Sequence, residues 1–432
     1  MPKNVALTTL LLLLGTVAAA QPLLDLKAGE GMSWFKGNTH THTLWSDGDA
    51  APEVAVAWYA DHGYDFLCLS DHNVLIDAKA VKWQPIGPHG LLPESRVDEI
   101  RAAFGEDWVE TAEQNGRAYM RLKTLPELKK RFEAKGGFLL IPAEEITSFF
   151  PSVHMNAINL REEIQPVNSE DPAESIAAAI DAMQARAAFQ GQPYLLHLNH
   201  PNWGEGVTAE QMLAVPDLEF FEVYNGHSEV RNWGDAKRHL VSTGRLWDIM
   251  LSVRLLQGSA VKMYGMATDD THAYYERRIG RDNAGRGWIQ VLADTLETDA
   301  LINAIHAGHF YATSGVTVDA IHFDGNTLSL QLPEESGVTY TTRFIGTRAD
   351  TPVEGAPVLD DKGQPVKRAT LQYSDRMGAT FAEVQGNTPA HTLQGNELYI
   401  RAVVESSKLQ DNPFMEGDHE KAWIQPITIP KN

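Results

Sequence analysis

The chain has 432 residues, enough for two domains of average size. Apolar residues make up 43% and charged residues 22%, which excludes a disordered chain and admits a sizeable core. The formal net charge of -21 repels phosphate backbones, so no nucleic acid partner is expected, and an anionic substrate must be drawn in by bound metal or by a few cationic side chains.

The chain opens with Lys3 before a mostly apolar run from Val5 to Val17, and Ala18-Ala19-Ala20 stands just before Gln21. A short positive start, a brief apolar run and a small-residue site describe a signal peptide over residues 1–20, and hence a periplasmic or secreted protein. The run is short for a membrane span and no later segment resembles one, so no stable membrane insertion is expected. The single cysteine, Cys68, excludes an internal disulfide and reads as a small buried hydrophobe.

Residues 21–315 read as alternating strands and helices. Short apolar runs at Trp34-Phe35, Phe66 to Leu69, Phe138 to Ile141, Met155 to Leu160, Tyr194 to Leu198, Leu218 to Val223 and Met263 to Ala267 suit strands buried on both faces. Helical patterns at Ala51 to His62, Leu125 to Lys135 and Pro172 to Gln190 lie between them, each closed by a glycine. Such alternation predicts a parallel barrel or a doubly wound sheet. The long stretch from Val74 to Gly137 reads as an insertion of the lid or specificity type. From Val316 to Asn432 the pattern changes to alternating strands, as in Thr327 to Leu332 and Glu397 to Val404, with turns such as Asp324-Gly325-Asn326. Residues 316–432 therefore read as a small all-β, sandwich-like domain.

Five clusters of metal-ligand residue types follow the apolar runs. They are Thr39-His40-Thr41-His42 with Ser46-Asp47-Gly48, Ser70-Asp71-His72-Asn73, Glu144-Glu145-Ile146-Thr147 with His154, His197-Leu198-Asn199-His200-Pro201, and Thr268-Asp269-Asp270-Thr271-His272. The C-terminal ends of barrel strands are where active sites form. Residues i and i+2 of a strand share a face, so His40 and His42 can approach one ion together. Imidazole and carboxylate suit zinc, iron and manganese, and a carboxylate can bridge two ions.

The order H-x-H, S-D-G, D-H-N, E-I-T, H, H-P-N and D-x-H resembles the PHP superfamily, named for polymerase and histidinol phosphatase domains, over about Ser33 to Thr313. Glu222-Val223-Tyr224-Asn225-Gly226, the stretch Ile305 to Gly315 and the segment Ala422 to Ile427 are most similar to the carbaryl hydrolase (CehA/McbA) branch. The resemblance implies an α/β fold, a distorted (β/α)7 barrel, with two to three divalent metal ions. Carried over by motif, one ion would be held by His40, His42 and Asp270 with Glu145 shared. A second would take Glu145, His154 and His200, and a third Asp47, His72 and His272. Glu144 is the alternative to Glu145 and Asp269 the alternative to Asp270; the Glu-Ile-Thr and Asp-x-His patterns favour the residues named. Asp71 is expected to support His72.

The function implied is metal-dependent hydrolysis of a small-molecule ester, with a hydroxide bridging two ions as attacking group and no Ser or Cys nucleophile. A phosphoesterase is the leading reading. A carbamate or carboxylic ester hydrolase is the second, and a non-catalytic metal-binding surface protein the third. Candidate substrate contacts are Trp203, Asn225, His227, Arg277 and Arg278. The sequence carries no signal for an oligomeric state. The export reading predicts a mature chain beginning near Gln21. N-terminal sequencing of protein from a periplasmic or culture fraction checks it, and full-length chain confined to the cytoplasm contradicts it.

Overall fold

The computed structural model describes residues 23–430, apart from 78, 89, 151, 205, 260 and 261. The expected signal peptide, residues 1–20, lies outside the described residues.

A 13-stranded sheet forms the body of the molecule. Its strands are β1 (Ser33–Asn38), β2 (Phe66–Leu69), β3 (Leu139–Phe149), β4 (Ser152–Ile158), β5 (Leu195–Leu198), β6 (Phe220–Asn225), β7 (Tyr264–Thr268), β8 (Trp288–Ala293), β9 (Phe310–Thr313), β10 (Tyr340–Arg348), β11 (Ala379–Gln385), β12 (Glu397–Leu409) and β13 (His419–Thr428). In space they run β7-β6-β5-β4-β3-β2-β1-β8-β9-β13-β12-β10-β11. The pairs β1–β2, β2–β3, β5–β6 and β6–β7 are parallel. The pairs β3–β4, β4–β5 and β1–β8 are antiparallel.

The structure is a mixed, sheet-rich α/β fold, in which the strands expected to form a distorted (β/α)7 barrel are not all parallel. The reason is chain length. β3 ends at Phe149 and β4 begins at Ser152, too close for the crossover that a parallel neighbour requires, so the two form a hairpin. β7 ends the sheet on one side, and just beyond it Thr271 bridges in parallel to Thr41 after β1. The free edge of β7 meets a side chain instead of a strand: Gln425 of β13 accepts a hydrogen bond from the Gly265 N–H at 3.0 Å and donates one to the Gly265 carbonyl at 2.8 Å. One amide thus reproduces both bonds of a strand partner and satisfies an edge that would otherwise be buried unpaired.

Helices fill the connections. α1 (Pro52–Asp61) starts on a proline, whose missing N–H costs nothing in a first turn. α2 (Glu94–Phe104) and α3 (Leu125–Phe132) lie in the long connection from β2 to β3, together with a three-stranded antiparallel sheet of Trp83–Pro85, Arg117–Arg121 and Thr111–Gln114. α4 (Pro172–Gln190) is capped by the Asp171 side chain, which accepts from the Ala173 N–H, and stops at Gly191, whose φ of 66° is left-handed. Its buried residues Ile176, Ala179, Ile180 and Met183 follow helical spacing and join a core with β4, β5, β6 and β7. α5 (Ala209–Leu213), α6 (Thr243–Leu256) and α7 (Thr298–Ala307) complete the set. No periodicity predicts α6, because every residue from Leu246 to Val253 is buried and the helix has no wet face in that stretch. Among the described residues no helix is long and apolar enough to cross a membrane.

The segment after residue 315 continues the same sheet through β9–β13 and β13–β12. It also builds a four-stranded sheet in which Leu24–Lys27 pairs with Ala320–Phe323. Ile345, Tyr373, Leu398, Tyr399 and Trp423 pack in the core that contains α4 and α6. A buried ion pair ties α6 to β12: Arg401 donates to Asp248 from Nε at 2.8 Å and Nη2 at 2.6 Å, and the Tyr399 hydroxyl donates to Asp248 at 2.7 Å. Removing one partner of such a pair leaves a buried charge uncompensated. Arg401→Ala is expected to destabilise the protein by about 3–5 kcal/mol. Urea unfolding measures it, and a loss below about 1 kcal/mol, the range of an exposed pair, would contradict the structural role assigned to this contact.

Candidate metal centre

The nine sequence-singled residues come from different strands and meet at one end of the sheet. His40 and His42 follow β1, Asp47 lies in the loop before α1, and His72 follows β2. Glu145 lies within β3 and His154 within β4, while His200 follows β5, and Asp270 and His272 follow β7. Isolated parallel bridges, Thr41 with Thr271 and His72 with Glu145, tie these strand ends together.

The geometry is convergent. Nε2 of His40 and Nε2 of His42 are 3.1 Å apart. Each stands 3.2 Å from Asp270 Oδ1. His40 Nε2 is 3.4 Å from Glu145 Oε1, and His42 Nε2 is 3.3 Å from Glu145 Oε2. His154 Nδ1 and His200 Nε2 approach Glu145 Oε1 at 3.0 and 3.4 Å. On the outer side Asp47 lies 3.5 Å from His72 Nε2 and 3.3 Å from His272 Nε2. Among the described residues five overlapping sets offer ligand atoms close enough together for one ion each: His40 with His42 and Glu145, His40 with His200 and Asp270, His72 with Glu145 and His154, Asp47 with His42, His72 and His272, and His227 with His272 and Asp282. The outer set adds His42 to the trio carried over by motif.

Glu145 is the hub. It is fully buried, and its Oε2 lies 2.7 Å from His72 Nδ1. Burial raises the cost of its charge, but His72, His40 and His154 hold its pKa well below the ordinary carboxylate range. The same coupling acts in reverse on the imidazoles. Burial opposes a proton on His72, yet Glu145 and Asp47 overcome it and lift its pKa to about 11. His272 rises to about 9 against its own burial, through Asp47 and Asp270. His42 falls to about 3, through burial and then through His272 and His72. The cluster thus needs positive charge among its carboxylates. Protons supply some of it, and divalent cations fit the donor set: two imidazole nitrogens facing each other across two carboxylates cannot satisfy one another.

Adjacent carboxylates divide their labour. Asp269 accepts from the backbone N–H groups of Gly285, Arg286 and Gly287 at 2.8, 2.6 and 2.8 Å, and from the Tyr59 hydroxyl at 2.8 Å. Its oxygens are consumed in holding a loop, while Asp270 faces the cluster. Glu144 points away and accepts from the Ile164 N–H, with its pKa pushed up to about 8 by burial. Asp270 and His200 have positive φ, 51° and 22°, an unfavourable backbone for either residue. Two bonds hold them there: Asp270 N–H to the His40 carbonyl at 3.0 Å, and His200 N–H to Glu222 Oε2 at 2.7 Å.

One expectation about support is corrected. Asp71 does not brace His72. It accepts from Thr43 N–H and Oγ1 and from Ser46 N–H and Oγ, and so fixes the turn that carries Asp47. Successive residues leaving a strand point opposite ways, which is why neighbours in sequence are not neighbours in space. His72 Nδ1 is met by Thr147 Oγ1 at 2.6 Å.

Glu222 was not singled out as a supporting residue, although it lies within a motif of the resemblance. It is fully buried on β6, its Oε1 lies 2.7 Å from His40 Nδ1, and it accepts from Thr268 Oγ1 at 2.7 Å. A carboxylate there fixes the His40 tautomer and turns the Nε2 lone pair to the cluster. The signal was present: a glutamate inside an apolar strand run demands a partner. Asn199 donates to Glu145 Oε1 at 2.8 Å.

The candidate substrate contacts separate. Trp203 and His227 line a cleft of about 540 Å³ together with His72, His154, His200 and His272. Asn225 is buried beneath it and donates to Glu222 and Asp270 at 2.8 and 3.1 Å. Arg277 and Arg278 are exposed, and Arg278 pairs with Glu276 at 2.7 Å. His227 instead pairs with Asp282 at 3.4 Å, a partner with no local signal in the sequence.

No family model matches the chain, and no curated protein does. Among solved structures, it is similar to a two-domain protein from Bacteroides vulgatus ATCC 8482 containing a predicted PHP-like metal-dependent phosphoesterase. That match has 14% identity, a TM-score of 0.39, and covers 95% of this chain and 99% of the other. A protein from Bifidobacterium adolescentis ATCC 15703, assigned as a metal-dependent phosphoesterase, matches at 14% identity and a TM-score of 0.27, over 55% of this chain and 87% of the other. Likeness at this level says nothing about shared chemistry.

The two neighbouring glutamates give a direct test. Glu145→Gln is expected to weaken binding of a divalent ion by at least about 10-fold, the lower end of what losing even a supporting partner costs. Glu144→Gln should leave it unchanged, because that carboxyl faces away and is largely neutral near pH 7. Competition of each variant with a chromophoric chelator measures this, and equal losses contradict the assignment. In the unaltered protein the ion must displace protons from the imidazoles, so affinity should fall as pH is lowered.

Proposed function

We propose that this protein is a metal-dependent phosphoesterase of the PHP type, acting outside the cytoplasm. The observation that carries the reading is the convergence of His40 Nε2, His42 Nε2, Glu145 and Asp270 in a buried spot at the base of a cleft. We place one divalent ion with His40, His42, Glu145 and Asp270, a second with Glu145, His154 and His200, and a third with Asp47, His72 and His272. Bound there, such ions would lower the pKa of water and offset negative charge on a substrate.

The remaining work belongs to the chain. Glu222 keeps the Nδ1 side of His40 engaged, so Nε2 stays directed at the cluster. Asn199 and Asn225 hold Glu145 and Asp270 in place as donors, which preserves both oxygen pairs as acceptors. Trp203 packs beside His154 and His200, with ring centroids 5.2 and 5.6 Å away, and shields one side of the cleft from water. His227 accepts from the Glu229 N–H at Nδ1, which leaves a proton on Nε2 beside Asp282 at the cleft wall. Three divalent ions among Asp47, Glu145 and Asp270 would leave excess positive charge. A phosphoryl transition state spreads negative charge over several oxygens and matches it, whereas a carbonyl develops charge on one oxygen.

The metal-reconstituted protein should turn over a nitrophenyl phosphomonoester or a bis-nitrophenyl phosphodiester with kcat/KM on the order of tenfold or more above that for a naphthyl carbamate. Preference for the carbamate would replace the phosphoesterase with a carbamate or carboxylic ester hydrolase. Inactivity on all three with metal bound would point to a metal-binding surface protein.

A further inference from the structure

One wall of the cleft over the cluster is the β3–β4 hairpin. Side chains of a strand alternate between faces, so Glu145, Thr147 and Phe149 of β3 share the face that carries the metal hub. Across the hairpin Thr147 pairs with His154, and Phe149 pairs with Ser152. These four residues all line the cleft. They form a track that leaves the cluster at Glu145, passes the Thr147–His154 pair and ends at Phe149, about 14 Å along the strand from the hub. Trp203 lines the same cleft, with its ring 5.2 Å from that of His154.

The outer end of the track is apolar and wet. Phe149 is 63% exposed. Its strand end is not frayed, because the Phe149 N–H donates to Asn168 Oδ1 at 3.1 Å. A phenyl group left in water gains nothing for the fold, since apolar area stabilises only when it is covered. Phe150, 84% exposed, lies past the end of the strand and lines an adjoining cavity rather than the cleft.

The charge of the cleft is equally specific. Among the described residues that line it, none is a lysine or an arginine, and beyond the metal-ligand residues it carries the carboxylate of Glu229. Arg238 and Arg368 lie in the adjoining cavity, which Glu170 also lines, and Arg238 is paired with Asp235 at 3.7 Å. Ions bound at the cluster would meet the charge of a phosphoryl group. A further anion on the organic part would find no cation along the track, and losing water without a partner is costly for a charge.

Resting on the phosphoesterase reading, we propose that this track receives the organic part of the ester and selects one that is flat, apolar and uncharged. The group lies between Phe149 and Trp203 and over the Thr147–His154 pair. No bond is made or broken along the track. Its contribution is binding and orientation of a group that remains attached until the ester is cleaved at the cluster.

The test uses the full, metal-reconstituted chain and three phosphonates, none of them a hydrolysable ester: methylphosphonate, 2-naphthylphosphonate and 6-sulfo-2-naphthylphosphonate. Isothermal titration compares the unaltered protein with Phe149→Ser and Phe150→Ser. Both side chains are exposed, so the fold is expected to survive, and unchanged metal content checks this. The unaltered protein should bind 2-naphthylphosphonate about 10-fold more tightly than methylphosphonate, which corresponds to about 1.4 kcal/mol. Phe149→Ser should lose most of that gain and Phe150→Ser should keep it. The sulfonated ligand should bind about 10-fold more weakly than its parent. Equal affinity for the methyl and naphthyl ligands, equal losses in the two variants, or a sulfonated ligand bound as tightly as its parent overturns the track whatever esters are hydrolysed. Failure of all three ligands to bind overturns the track and the phosphoesterase reading together. The expected binding pattern in a protein that hydrolyses no phosphate ester supports the track and refutes the phosphoesterase reading alone.

Discussion

A buried carboxylate without a cation is among the costliest groups a protein can contain. Here Glu145, Glu222 and Asp270 are almost wholly removed from water within one cluster. Everything around them answers to that constraint. Imidazoles of six histidines press in on Glu145, Asp47 and Asp270; against burial the carboxylates lift the pKa of His40, His72 and His272, while burial and neighbouring imidazoles lower that of His42. The backbone accepts left-handed φ at His200 and Asp270 so that their side chains can reach the same point. A fold optimised for stability alone would replace such a cluster with apolar packing, so its presence speaks for a site that binds cations.

The scaffold keeps the cluster rigid by separating groups that support from groups that present. Asp269 and Asp71 spend their oxygens on backbone and hydroxyl donors, which fixes the two loops bearing Asp270 and Asp47. Glu222 sits one layer below and orients His40. A presenting group held this way loses little entropy when a ligand arrives, which is the advantage of a preorganised site.

Much of this was legible in the sequence because two signals coincide. Runs such as Phe66 to Leu69 and Tyr194 to Leu198 are apolar throughout, so they announce strands buried on both faces, and histidine or aspartate follows at their ends. Sequence alone therefore places His72, His200 and Asp270 at one end of a sheet. Pairing direction was not legible, because periodicity does not say which neighbour a strand will choose; the β3–β4 hairpin follows from a connection that local pattern does not measure. Asp282 stands 55 residues from His227, and Gln425 stands 160 from Gly265, so neither contact leaves a local trace. Asp71 shows the opposite failure, where adjacency to His72 suggested a contact that the strand's alternation forbids.

The position of β13 has a consequence for how the chain acquires its structure. The last strand in sequence is not at an edge; it lies between β9 and β12 in the interior of the sheet, and its Gln425 covers the edge of β7. Until that strand arrives, β7 and β9 present unpaired backbone, and the residues from β1 to β7 cannot complete their core. Assembly therefore waits on β13: its contacts span long sequence separations, which makes folding slow. Until β13 is in place, β7 and β9 are edges open to pairing with a strand of another chain.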